Sequence, residues 1–289
     1  MHSKLSPKLT TTVTVPDGYG KCHDWFPSDF PSFLTELEHI TEACAGDDPA
    51  PLFRGHANEA WRLDCTFVRN FIETIFSLED YQKFDREKRR SIIFHQSVLS
   101  LFLLKFGVIF TPSLEALEME KSAGIDPWFE FMKHSQQYPE TDRGLKGTFL
   151  TDWTTSPDIA IYFANDRRIG AGAVWVCDLV ETGKTLQVKK MGEILALMQE
   201  KNFSSTPAGV PLIFHPKLQA LHPRAVAQLP VYIAQMDYRA DLADAWITQE
   251  AELVDRQIFI KLILPNGSQS ACHQYLAEKG ITREVIYPI

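Results

Sequence analysis

Two short segments carry residues whose types and spacing could do chemistry. The first is Leu52-Phe53-Arg54-Gly55-His56, followed by Trp61, Leu63 and Arg69. An arginine inside an apolar run must find carboxylates, carbonyls or an anionic ligand for its donors. Gly55 beside it would let backbone or ligand approach closely. The second is Thr148-Phe149-Leu150-Thr151-Asp152-Trp153-Thr154-Thr155-Ser156-Pro157. It reads as a strand that ends in hydroxyls and a carboxylate and enters a helix capped by Ser156. Free backbone N–H groups at a helix start favour anions. Polar groups that interrupt apolar runs are costly unless they meet partners, so Arg54, Asp152 and the Ser156 helix start are expected in one cleft. The same residues admit a structural reading, with Arg54 paired to Asp152, Ser156 a plain cap and Trp153 a core side chain.

Other chemistries lack their residues. There is no phosphate loop of the Walker type, no HExxH and no GxSxG. Gly170 and Gly172 lack the third glycine of a dinucleotide fingerprint. Cys22-His23 has no second ligand pair at a zinc spacing, so no metal site is expected. The five cysteines, Cys22, Cys44, Cys65, Cys177 and Cys272, are odd in number and scattered, which predicts reduced thiols.

The elements that must position these groups come from a chain of 289 residues, 45% of them hydrophobic, enough for one large domain or two small ones. With 23% charged and 11% aromatic residues it is not a disordered composition. The net charge of −8 argues against a general nucleic-acid binder and leaves room for a local basic pocket. The most apolar stretch, Val98 to Leu104, ends at Lys105, far short of the roughly 20 residues of a membrane span. Met1 to Asp17 lacks the apolar core of a signal peptide, so a cytoplasmic protein with no membrane partner is expected.

Phe30, Phe33, Leu34, Leu37, Ile40 and Cys44 predict a helix from Ser28, stopped by Gly46. Helices are also predicted within 77–106, from Asp126-Pro127 to Phe131, from Ser156-Pro157, over 192–200, 239–253 and 270–279, the last stopped by Gly280. Strands are predicted over 148–151, 171–179, 231–234 and 258–264. No composition break divides the chain. The expected class is α+β, a single mixed domain over 25–289 after a flexible tail over 1–24, with a helical N-terminal half.

Phe53-Arg54-Gly55, Trp61, Leu63 and Arg69, then Gln137, Thr148, Leu150, Asp152, Trp153 and Thr154, then Ala160, Phe163 and Ala164, run in the order of a known signature. Gly172 to Trp175, Pro223-Arg224, Gln228, Ile263 to Pro265 and Gly280 to Pro288 continue it. The chain resembles the FRG domain family, named for its Phe-Arg-Gly motif, over roughly residues 25–289. Phe149 stands where that signature has arginine, and Tyr138 where it has histidine.

A second resemblance is to ADP-ribosyltransferases of the Arg-Ser-Glu type. It implies a split β core with a cleft for NAD or another nucleotide. Arg54 matches the first-strand arginine, Thr151 to Ser156 the hydroxyl strand, and Gln228 stands in the place of the glutamate. The resemblance implies Arg54, Thr154 and Gln228 as catalytic residues. It implies Arg54, Gly55, Asp152, Trp153, Thr155 and Ser156 as contacts to the cofactor NAD. Glu193 and Glu252 are alternative carboxylates outside any matching motif. Three readings stand: a transferase of toxin or defence type acting on a protein or nucleic-acid target; a catalytically inactive nucleotide- or protein-binding module of the same fold; and an unrelated hydrolase or nuclease using Asp152 and His56.

Overall fold

The computed structural model describes residues 11–14, 21–44, 50–75, 92–107, 147–178, 212–214, 223–235, 238–243 and 259–288. These residues form eight strands: β1 (Thr11–Thr14), β2 (Lys21–Trp25), β3 (Leu52–His56), β4 (Leu150–Thr154), β5 (Gly172–Cys177), β6 (Leu212–Phe214), β7 (Pro230–Ala234) and β8 (Phe259–Leu264). They also form seven helices: α1 (Phe30–Cys44), α2 (Thr66–Ile75), α3 (Ile92–Gly107), α4 (Pro157–Asn165), α5 (Pro223–Gln228), α6 (Gln269–Glu278) and α7 (Arg283–Ile286). The α+β class is therefore as expected.

One mixed sheet takes all eight strands in the order β1-β2-β8-β5-β3-β4-β7-β6. Only the β2–β8 pair is parallel. Residues 11–14 and 21–25, within or bordering the stretch read as a tail, are thus sheet strands. The N-terminal half is likewise not simply helical, because β1, β2 and β3 all come from it. The reason is local pairing. Thr11 to Thr14 lies antiparallel to Lys21 to Asp24, and β2 then docks on β8 through Asp24 and Trp25.

The join between β3 and β4 is the weak seam of this sheet. Only Phe53 and Thr154 are in register there. By contrast β3 pairs with β5 over all five of its residues, and β4 with β7 over all five of its own. The sheet is two well-paired halves hinged at one residue pair, and backbone groups beyond the hinge must find other partners.

Helices α1, α4 and α6 cover one face. Phe30, Phe33, Leu37 and Ile40 recur at helical spacing, and all four are buried against Trp25, Phe53, Val174 and Leu262. Asp29 caps α1, accepting from the Ser32 N–H at 2.8 Å. On the opposite face Leu52, Leu63, Trp153, Trp175, Val231 and Phe259 form a second cluster. Phe149 is fully buried and meets Phe102 at 4.8 Å between ring centres. Cys44, Cys65, Cys177 and Cys272 are buried thiols. The helices expected over 126–131 and 192–200 lie outside the described residues, as does most of that over 239–253. No helix among the described residues is long and apolar enough to cross a membrane.

Helix α4 lies directly on β3, and Gly55 makes this possible. A Cβ at Gly55 would meet the Ala160 carbonyl oxygen at 2.0 Å and the Ala164 nitrogen at 2.5 Å. At its far end α4 is fastened by Arg168, which donates to Asn165 Oδ1, the Leu264 and Pro265 carbonyls and Ser268 Oγ at 2.7–3.1 Å. The element that must sit against the strand of Arg54 is thereby fixed at both ends.

Candidate functional site

Where β3 and β4 part, a cavity of about 970 Å³ opens. Its wall draws on both strands, the end of α4 with the turn after it, α5, and Tyr287. Arg54, Gly55, Asp152, Trp153, Thr154 and Gln228 all line it, so six of the residues singled out from the sequence share one cleft. Thr155 and Ser156 are not in its wall.

Arg54 bridges the seam. Its Nε–H donates to His56 Nε2 at 3.1 Å, and Nη1 donates to the Asp152 carbonyl on the strand that has parted from β3. The guanidinium thus does what strand pairing would otherwise do for that carbonyl, and it keeps its remaining donors for the cleft. The side chain keeps some surface on the cleft while protein crowds it elsewhere. That crowding pulls its pKa down to about 10, with Asp152 pushing back, so Arg54 remains a cation at neutral pH. The structural reading of an Arg54–Asp152 pairing is therefore met through the backbone carbonyl rather than a carboxylate bridge.

Asp152 itself is exposed on the cleft wall. Its carboxyl titrates above the usual value because protein atoms surround it in the concave wall, and the charges of Arg54 and Arg69 partly reverse this. His56 is 2% exposed. Burial first, then the nearby Arg54, Arg69 and Lys261 charges, hold its pKa well below 6.5. A neutral imidazole whose Nε2 already accepts from Arg54 is not free to act as a general base, which removes the basis of the Asp152–His56 hydrolase reading. No group of three His, Cys, Asp or Glu residues converges as a metal site among the described residues.

The row that supports Arg54 runs across four strands. Asp24 faces Lys261, Lys261 faces Trp175, and Trp175 faces Arg54. Lys261 Nζ lies 3.3 Å from Asp24 Oδ2, with both side chains buried, and 5.6 Å from the Trp175 ring centre. The His56 and Trp175 rings meet edge-on, 6.4 Å between ring centres. Trp61, 44% exposed on the cleft rim, lies beside His56 at 6.0 Å and under the Arg69 guanidinium at 5.5 Å.

Several expected ligand contacts have structural roles instead. Trp153 is 2% exposed, and its indole N–H donates to Thr151 Oγ1 at 2.9 Å, so it is a core side chain that borders the cavity. Ser156 caps α4, accepting from the Ile159 N–H at 3.4 Å. Asp158 in the first turn adds a negative charge there and accepts from the Tyr275 hydroxyl at 2.6 Å. The start of α4 is thus supplied by its own residues, and neither Ser156 nor Thr155 lines the cavity. Gly55 serves helix packing, as above.

Thr154 Oγ1 accepts from the Ser156 N–H at 3.1 Å and keeps its own hydroxyl proton to donate. Gln228, at the end of α5, donates from Nε2 to the Ile286 carbonyl at 3.1 Å and presents the amide oxygen as an acceptor. Glu193 and Glu252 lie outside the described residues. The carboxylates that do line the cavity are Glu59, Asp152 and Asp166, and the further cations are Arg167 and Arg224. Of these only Asp152 was singled out. Arg224 belonged to a motif without a role, and Asp166-Arg167 follows an apolar helix without any sequence mark of a cleft. Compared with protein families, curated proteins and solved structures, the chain finds no match.

Proposed function

We propose that the cleft between β3 and β4 binds NAD or a related nucleotide, in a domain of the FRG type with an ADP-ribosyltransferase-like split core. The observation that carries this reading is the convergence of Arg54, Thr154 and Gln228 on one cavity at the seam. Those three positions are the ones the resemblance implies, and they come from three distant parts of the chain. The residues also suit the group. A cavity of about 970 Å³ is at the upper end of ligand pockets and is lined by guanidinium, hydroxyl, amide and aromatic groups.

NAD, when bound, supplies a nicotinamide–ribose bond whose cleavage develops positive charge on the ribose carbon. Arg54 would donate to anionic or ribose oxygen with the donors left free by His56 and Asp152. The Thr154 hydroxyl would orient the nicotinamide end, and the Gln228 amide oxygen would accept from a ribose hydroxyl. Gln228 carries no charge to offset a developing cation, which favours weak turnover. The same feature favours the second reading, a binding module of this fold without catalysis. In the first reading the acceptor of the transferred group is a protein or nucleic-acid target.

The test is nicotinamide release from NAD by the wild type, Gln228→Glu and Arg54→Ala. Wild-type release is expected to be slow, by about 10²–10³ relative to a carboxylate at that place, by analogy with the loss of one oxyanion-hole donor. Gln228→Glu should raise it and Arg54→Ala should abolish it. Fast wild-type turnover indifferent to Arg54→Ala refutes the assignment. Absence of NAD binding at millimolar concentration moves the function to the protein-binding form of the module.

A further inference from the structure

The cavity wall carries two further cations that the site above does not use. Arg167 follows the α4 C-cap, and Arg224 lies in α5; both line the cavity. Neither has a carboxylate within 4.0 Å among the described residues. In a chain with a net charge of −8, two guanidiniums lining one cavity without such a partner are conspicuous. Arg167 also holds φ +55, a left-handed conformation that glycine normally takes at a helix end. Local strain of this kind at a cleft points to a role for the side chain.

Tyr287 also lines the cavity. Its half-buried ring has the Arg224 guanidinium 5.7 Å and the Arg283 guanidinium 5.9 Å from its centre, with the Phe163 ring edge-on at 6.4 Å. The contact with Tyr287 orients Arg224 and still leaves its N–H edge free for planar, bidentate donation to phosphate oxygens. Arg54, by contrast, has already committed Nε and Nη1 to His56 and the Asp152 carbonyl. Asp166 also lines the cavity and supplies an acceptor suited to sugar hydroxyls or an exocyclic amine.

We propose that Arg167 and Arg224 bind the phosphates of a nucleoside diphosphate, or of a dinucleotide that contains one, with Tyr287 fixing Arg224, while Arg54 contacts another part of the ligand. This rests on the reading of the cleft as a nucleotide site. It moves the phosphate contacts from the strand arginine to Arg167 and Arg224.

The experiment is calorimetric titration of ADP-ribose, ADP, adenosine and inorganic pyrophosphate into the wild type, Arg224→Gln and Arg167→Gly. ADP-ribose and ADP should bind the wild type, and adenosine should bind at least tenfold more weakly. Each variant should weaken ADP at least tenfold and leave the residual adenosine affinity unchanged. Arg167→Gly places glycine where the backbone is left-handed, so its melting temperature should not fall, and lost binding there cannot come from misfolding. Equal ADP affinity in all three proteins overturns the placement of the phosphates and leaves the nucleotide reading standing. Pyrophosphate binding that needs Arg224, without any binding of ADP or ADP-ribose, keeps the anion site and overturns the nucleotide reading. No binding of any of the four overturns both.

Discussion

Replacing Gly55 by alanine tests whether this glycine serves the helix or the ligand. The added Cβ would stand 2.0 Å from the Ala160 carbonyl oxygen, 2.5 Å from the Ala164 nitrogen and 3.0 Å from the Phe163 carbonyl carbon. All three are backbone atoms, so no rotamer change relieves the overlap. Ordinary contact starts at 3.4 Å against the observed 2.0 Å, so the carbonyl would have to retreat by about 1.4 Å. Helix α4 is poorly placed to do this. Ile159, Ala160, Ile161 and Ala164 are buried, Tyr275 holds Asp158, and Arg168 fastens the other end. Overpacking costs about 1–3 kcal/mol, and a backbone clash against an anchored helix belongs at the top of that range. With an unfolding entropy of about 2.1 cal/mol/K per residue, 289 residues give about 0.6 kcal/mol/K. A loss of about 3 kcal/mol then lowers Tm by about 5 °C. Scanning calorimetry with a denaturant titration at unchanged m-value reads this directly. A Tm within about 1 °C of the wild type, with nucleotide binding lost, would refute the packing argument and return Gly55 to the ligand.

The remaining predictions concern Arg54 and its neighbour. The pKa of His56 is lowered on folding, so the unfolded chain takes up a proton that folded His56 refuses. Stability contributed by this site is complete above pH 6.5 and falls progressively below it. His56→Gln preserves an acceptor for the Arg54 Nε–H and should flatten that acid limb; superimposable Tm–pH curves would contradict this. Arg54→Lys cannot donate to His56 and the Asp152 carbonyl in the same planar geometry, and it should cost about 1–3 kcal/mol by leaving an acceptor unmade. An unchanged denaturation midpoint would show that the seam does not depend on the guanidinium.

The amino-acid sequence by itself determined much of the local structure. The 3.6-residue spacing of Phe30, Phe33, Leu37 and Ile40 marks α1, and Ser156-Pro157 marks the start of α4. The apolar run Phe259 to Leu264 marks a strand buried along its whole length. It also made Arg54 and Asp152 stand out, because a charged group in an apolar run needs a partner. Helix α2 was not anticipated, and neither were β1 and β2, which pair with each other and reach the sheet through the β2–β8 contact rather than through any strong pattern of their own. The partner of Arg54 was decided by tertiary structure. That partner is the Asp152 carbonyl, made available because β3 and β4 share a single registered pair. Tertiary structure also decided that Ser156 and Trp153 are used up in capping and core packing. It brought Arg167, Arg224 and Tyr287 to the cavity that Arg54 lines. Periodicity records which face of an element is apolar, but sheet order and the parting of two strands depend on contacts between residues distant in the chain, and these leave no mark in local spacing.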